Sequence, residues 1–176
     1  MNFLPTQLEG AYLIQHRKIE DDRGFFARSF CAREFQEHRL EHRLAQANIS
    51  CNAAAGTLRG MHYQTAPSEE VKVVRCTRGK LFDVIIDLRK ESPTYCKWQG
   101  FELSESNRDM LYVPRGFAHG YQTLEPNTEI FYLVTEFYSP AHERGVRWND
   151  SAFEIAWPLR DPLVSPKDAA LPDYVL

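Results

Sequence analysis

Five groups of side chains in this sequence have types and spacings that chemistry can use. The run Gly56-Thr57-Leu58-Arg59-Gly60-Met61-His62-Tyr63-Gln64 sets a guanidinium between glycines, with an imidazole shortly after. Glycine admits close backbone approach to a ligand, Arg grips a phosphate through two parallel hydrogen bonds, and His is the commonest general base near neutral pH. Taken alone, the run reads equally well as a surface hairpin with a packed histidine. The run Pro114-Arg115-Gly116-Phe117-Ala118-His119-Gly120 shapes a turn and delivers a second histidine. A buried His119 bonded to a carboxylate is a strong reading there, and a supporting role in a pocket is the other.

Lys72 opens the apolar run VKVVRC. If Val71 and Val73 face one side of a strand, Lys72 faces the other, where an ammonium can stabilise charge developing on a substrate oxygen. Spacing alone favours an exposed lysine on an outer face. Tyr132, in Glu129-Ile130-Phe131-Tyr132-Leu133, can give a proton to a carbanion if it is held in place, although an aromatic core residue is commoner. Asp22-Arg23-Gly24-Phe25-Phe26 puts a cation beside two aromatics, suited to a nucleobase and its phosphates or to a capped turn. Gln46, Asn48 and Ser50 alternate along one strand face and offer hydrogen bonds to the same ligand.

The elements that must position these groups are mostly strands. Apolar and β-branched runs at 71–76, 81–88, 98–104, 109–114 and 128–139 are separated by turn residues, which predicts a β-sandwich or barrel. Helical patterns do not alternate with them, which argues against a parallel α/β sheet. One helix is predicted over 31–44, CAREFQEHRLEHRL, with Ala32, Phe35 and Leu44 inward. The C-terminal third carries Trp148, Trp157 and several prolines and is expected to be ordered, irregular chain wrapped over the strands.

The 176 residues suit one domain, and a net charge of −3 marks no general nucleic-acid binder. The four cysteines form no C-x-x-C pair, the N-terminus has no signal-peptide pattern, and no apolar stretch is long enough to span a membrane. These features point to free thiols in a reducing cytoplasm. No Gly-x-Gly-x-x-Gly follows a strand, so no nicotinamide site is expected.

The spacing Pro114-x-Gly116-x-x-His119 resembles the second motif of the cupin superfamily. Metal-binding cupins pair it with an earlier H-x-H, a position that here reads His62-Tyr63-Gln64, so no catalytic metal is expected. In order, DDRGFF (21–26), QANIS (46–50), GTLRGMHYQ (56–64), VKVVRCTRG (71–79), YVPRGFAHGYQTL (112–124), FYLVTEFY (131–138), RGVRWND (144–150), WPL (157–159) and SPKD (165–168) resemble the dTDP-4-dehydrorhamnose 3,5-epimerase family over nearly the whole chain. The resemblance implies a mostly β, cupin jelly-roll barrel and a homodimer whose N-terminal segments help build the neighbour's site. It implies no metal or organic cofactor and the substrate dTDP-4-keto-6-deoxy-D-glucose, inverted at C3 and C5. It further implies His62 as general base, Asp168 as its partner, Tyr132 as opposite-face acid and Lys72 at the enolate oxygen. Arg59 and His119 would complete the pocket. Arg23, Phe26, Gln46, Asn48, Tyr138 and Lys167 would hold the nucleotide. Two positions depart from the family pattern: Arg28 stands where the family has Glu near the nucleobase, and Glu70 where it has Gln. GDP- or CDP-linked sugars, or inversion at one carbon, are the alternatives these leave, and a non-catalytic sugar-nucleotide-binding cupin is a more distant one.

Overall fold

The structure is a computed structural model that describes residues 1–175. Two sheets face each other. The first runs β1 (Asn2–Pro5), β2 (Tyr12–Gln15), β10 (Met110–Val113), β7 (Lys72–Arg78), β12 (Thr128–Val134) and β5 (Gln46–Asn52) in that spatial order. The second runs β13 (Glu143–Gly145), β6 (Thr57–Gln64), β11 (Phe117–Thr123), β8 (Lys80–Asp87) and β9 (Trp98–Ser104), with β14 (Leu163–Val164) parallel to β6. A separate hairpin joins β3 (Ile19–Asp21) and β4 (Gly24–Phe26). This is the jelly-roll arrangement. Among the described residues no helix is long and apolar enough to cross a membrane.

Apolar side chains fill three layers. Val74, Cys76, Leu111 and Ile130 of the first sheet meet Leu81, Ile85, Leu103 and Phe117 of the second. Outside the first sheet, Val71, Val73 and Met110 pack under Phe35 of the helix α1 (Ala32–Glu37). Outside the second, Met61, Val84, Ile86 and Ala118 pack under Val146, Phe153 and Trp157, so the C-terminal chain does wrap the strands in irregular form. Both faces of the central strands are therefore covered, which is why β8 reads as an almost unbroken apolar run.

Two expected elements are shorter than predicted. The helix predicted over 31–44 ends at Glu37. Arg39 turns into the left-handed region at φ 59°, and its N–H bonds the Gln36 carbonyl while the Leu40 N–H reaches back to Phe35 at 2.9 Å. Leu40 then packs with Phe35, completing a Schellman-type stop in which an arginine takes the usual glycine place. The strand predicted over 128–139 leaves the sheet after Val134. The backbone N–H groups of Phe137, Tyr138 and Ser139 bond the side-chain oxygens of Glu136, Gln46 and Gln64 and not a neighbouring strand.

One irregularity decides what the second sheet presents. Along β11, His119 pairs with His62 and Tyr121 with Arg59, so β6 holds an extra residue opposite Gly120. Strand side chains alternate faces, and one inserted residue breaks that parity. Arg59 and His62, three apart, consequently face the same side. Gly60 makes this possible at φ 127°, where a Cβ would sit 2.5 Å from the Gly120 Cα. Gly60→Ala should therefore cost about 2–5 kcal/mol, combining backbone strain with overpacking. That corresponds to a thermal midpoint roughly 5–15 °C lower, read by calorimetry. A midpoint within a degree of the parent would show that the strands can separate without cost.

Candidate active site

The space between the sheets opens at one end into a cleft. From the second sheet, β6 sends in Arg59 and His62 and β11 sends in His119 and Tyr121. From the first, β5 supplies Ser50, β7 supplies Lys72 and β12 supplies Tyr132. Lys167 and Asp168, on the short helix α2 (Pro166–Ala169), close the side, and the cavity measures ≈ 330 Å³. A second compartment of ≈ 280 Å³ shares His62, Lys72 and Tyr132 and continues to Gln46, Asn48, Glu70, Tyr138 and Glu143.

His62 Nε2 lies 2.8 Å from Asp168 Oδ1, across 106 residues of sequence. Burial works against ionisation of this carboxyl. The hydrogen bond and charge of His62, the Gly60 N–H and the Lys167 ammonium outweigh it and hold the group below its ordinary value. An ionised carboxylate only accepts, so His62 donates through Nε2 and leaves the Nδ1 lone pair as the basic position. Asp168 is itself fixed by Ser165, which caps α2 by accepting from the Asp168 N–H.

A lowered carboxyl value in the folded state means that its stabilising contribution is complete above the ordinary carboxylate range and is lost as pH falls through the lowered value. The thermal midpoint of the parent should exceed that of Asp168→Asn at neutral pH, and the gap should close as the solution is acidified below that range. A gap independent of pH would show that the carboxylate's charge plays no part.

His119 Nε2 donates to both oxygens of Asp83, at 2.9 and 3.0 Å, with Asp83 fully buried. The structural reading of this histidine holds, and its ring also lines the cleft. Lys72 does not take the exposed position that spacing favoured: its side chain is 14% exposed and faces the cleft, with Nζ 3.2 Å from Glu70 Oε1. Tyr132 likewise points inward. Burial raises its phenol above the ordinary value, Glu70 raises it further, and Arg59 opposes. Arg59 is aimed by a 2.8 Å bond from Nε to Asn52 Oδ1.

Gln46, Asn48 and Ser50 do share the inner face of β5, alternating with exposed Ala47, Ile49 and Cys51. Tyr138 donates to Glu143 Oε2 at 2.8 Å, and Lys167 Nζ reaches both Glu143 oxygens at 2.7 and 2.8 Å. Arg23, Phe26 and Arg28 are not brought into this cleft within the chain. Arg23 is 89% exposed and paired with Asp21, and Phe26 is 67% exposed on the hairpin. Arg28 pairs with Glu34 at 2.9 Å, and the other oxygen of Glu34 takes the N-terminal ammonium. Sequence reasoning did not single out Asp83, Asn52 or Glu143. Their signal lies in strand register, which joins β8 to β11 and β13 to β6.

A larger groove of ≈ 820 Å³ lies beside α1 and is lined by Arg39, Glu41, Arg43 and Arg115. Glu41, held down to about 2 chiefly by its hydrogen bonds from Arg43, also lies 3.5 Å from Arg115, so Arg43 and Arg115 already have a counter-charge. The smaller cleft has the chemistry: an oriented imidazole on one sheet faces an ammonium and a phenol on the other.

A jelly roll with a cleft of this kind defines a cupin-type enzyme. The comparisons make the assignment specific, because the family described as dTDP-4-dehydrorhamnose 3,5-epimerase matches residues 5–175. The dTDP-4-dehydrorhamnose 3,5-epimerase of Sinorhizobium fredii is 44% identical over 173 residues, covering 98% of this chain and 89% of that protein. The crystal structure of the Bacillus anthracis enzyme of that name, with TDP and PPi bound, superposes with a TM-score of 0.95 at 42% identity, covering 98% of this chain and 99% of the other. The Legionella pneumophila enzyme in complex with dTDP-4-keto-L-rhamnose gives a TM-score of 0.91 at 36% identity, covering 98% and 92%. The chain belongs to the dTDP-4-dehydrorhamnose 3,5-epimerase family.

Proposed function

We propose that this protein inverts C3 and C5 of dTDP-4-keto-6-deoxy-D-glucose, giving dTDP-4-keto-L-rhamnose, by proton transfer through enolates. A C–H beside the C4 ketone is acidic because its anion is an enolate. His62 Nδ1 removes that proton, Asp168 stabilises the imidazolium that forms, and Lys72 stabilises the enolate oxygen. Tyr132 gives a proton to the same carbon from the opposite face and is reprotonated from solvent, while the His62 imidazolium releases its proton to solvent, which resets the pair for the second carbon. No electron changes hands, so the reaction calls for no redox partner.

The observation that carries this reading is the Asp168-oriented His62 on one sheet facing Tyr132 and Lys72 on the other. A sugar ring lying between the sheets has a base on one face and an acid on the other, as inversion requires. Arg59 and His119 wall the sugar compartment. Gln46, Asn48, Tyr138 and Lys167 suit the nucleotide end. The solved relatives carrying TDP and dTDP-4-keto-L-rhamnose support thymidine as the base.

The reading extends to a cytoplasmic homodimer, in keeping with four free cysteines. The β3–β4 hairpin supports the dimer, because it leaves the cross-strand pair Ile19 and Phe26 exposed on one face. On a second copy it would bring Arg23 and Phe26, with Arg28 nearby, to the partner's nucleotide. Proton NMR of the product tests the function. The couplings of a sugar inverted at both C3 and C5 are expected, and unchanged starting sugar would overturn the proposal.

A further inference from the structure

The carboxylate of Glu70 has no part in the proton transfers above, yet it stands inside the cleft. Glu70 precedes β7 and continues the inward alternation of Lys72 and Val74. Its Oε1 lies 3.2 Å from Lys72 Nζ, and both side chains are only 14% exposed. Lining the same compartment as Tyr132 and His62, it is a negative group set among residues that would meet an anionic substrate and an enolate. A lone carboxylate in that position would repel an anionic ligand, and the Lys72 ammonium neutralises it.

We propose that Glu70 is a positioning residue, whose carboxylate pins the Lys72 ammonium to the cleft wall and places a fixed negative charge beside the Tyr132 phenol. The pin confines a flexible four-carbon side chain, whose many rotamers would otherwise spread the ammonium through the cleft. The fixed charge disfavours tyrosinate, which keeps Tyr132 in the protonated form that can donate. This inference rests on the functional reading for the roles of Lys72 and Tyr132 but not for the electrostatics.

The charged and titratable groups facing Tyr132 come from four directions. Beside Glu70 and Lys72 on the β7 side stand Arg59 and His62 from β6, and from β11 the phenol of Tyr121 and His119, held by Asp83. Lys167 and Asp168 face it from α2, already paired with Glu143 and His62. The neighbouring strand β5 contributes only the neutral Gln46, Asn48 and Ser50. Arg59 pulls the phenol towards ionisation, so Glu70 is the group that counters it.

The test is a spectroscopic titration of tyrosinate in the full-length protein. The Tyr132 component is isolated by subtracting the matching Tyr132→Phe variant. In Glu70→Gln the Tyr132 midpoint should fall by about one pH unit, and in Glu70→Asp, which keeps the charge, it should return most of the way. The alkaline limb of kcat for Glu70→Gln should move down with it. An unmoved midpoint in a folded Glu70→Gln protein, with a thermal midpoint near the parent's, overturns the proposal. So does an equal fall in Glu70→Asp. The spectral titration needs no turnover, so failure of the parent to act on the keto-sugar would strike the functional reading alone.

Discussion

His62→Ala should lower exchange of substrate protons with solvent by about 10²–10⁴-fold, the usual contribution of a positioned general base, while dTDP binding stays within a few-fold. The imidazole is held at Nε2 by Asp168 and lines the cleft, and an alanine methyl at position 62 has no basic nitrogen to take the proton. At the proposed nucleotide end, Tyr138 bonds Gln46 through its N–H and Glu143 through its hydroxyl, and neither contact involves His62. Asp168 keeps its bond from the Gly60 N–H, so the variant's folded state retains a partner for the buried carboxylate. Calorimetric titration with dTDP and mass-spectrometric exchange in heavy water check the two halves. Exchange at the parental rate would remove His62 from the chemistry. Simultaneous loss of binding would assign it to the ligand pocket.

The second large effect concerns the opposite face. Tyr132→Phe should reduce formation of inverted product by roughly 10²-fold while wash-in of deuterium at the first carbon persists within about tenfold. The substitution keeps the ring among Val74, Ile130 and its neighbours and removes only the hydroxyl, so packing is preserved. His62 can still take the proton and return it, or a deuteron from solvent, to the face it came from. That gives exchange without inversion. Following deuterium content and product configuration in the same samples separates the steps. Equal loss of both would mean that the phenol is needed before the enolate forms.

How much of this was legible in the sequence differs by element. The strands were, because both their faces are buried and the runs are strongly β-branched. The ends of α1 and β12 were not, because each is set by a contact with no local signature. Arg39 adopts the left-handed conformation because Leu40 must meet Phe35, and residues 137–139 leave the sheet because Gln46 and Gln64 capture their N–H groups. Lys72 shows the limit of alternation. The pattern separated it from Val71 and Val73, but β7 is apolar on both faces, so only the covering helix shows which face is outside. Asp168 and His62 are 106 residues apart, and no spacing argument joins them. That pair entered through the resemblance of SPKD and RGMHYQ to a family. The parity break in β6, which lets Arg59 and His62 face one cleft, is visible only in the register with β11.

The central claim is inversion through enolates at both carbons flanking the ketone. Its most direct test is incubation of the protein with dTDP-4-keto-6-deoxyglucose in heavy water, followed by mass-spectrometric counting of incorporated deuterons. Two deuterons, one each at C3 and C5, are predicted. One would confine the chemistry to a single centre, and none, with a protein shown separately to bind dTDP, would contradict the account.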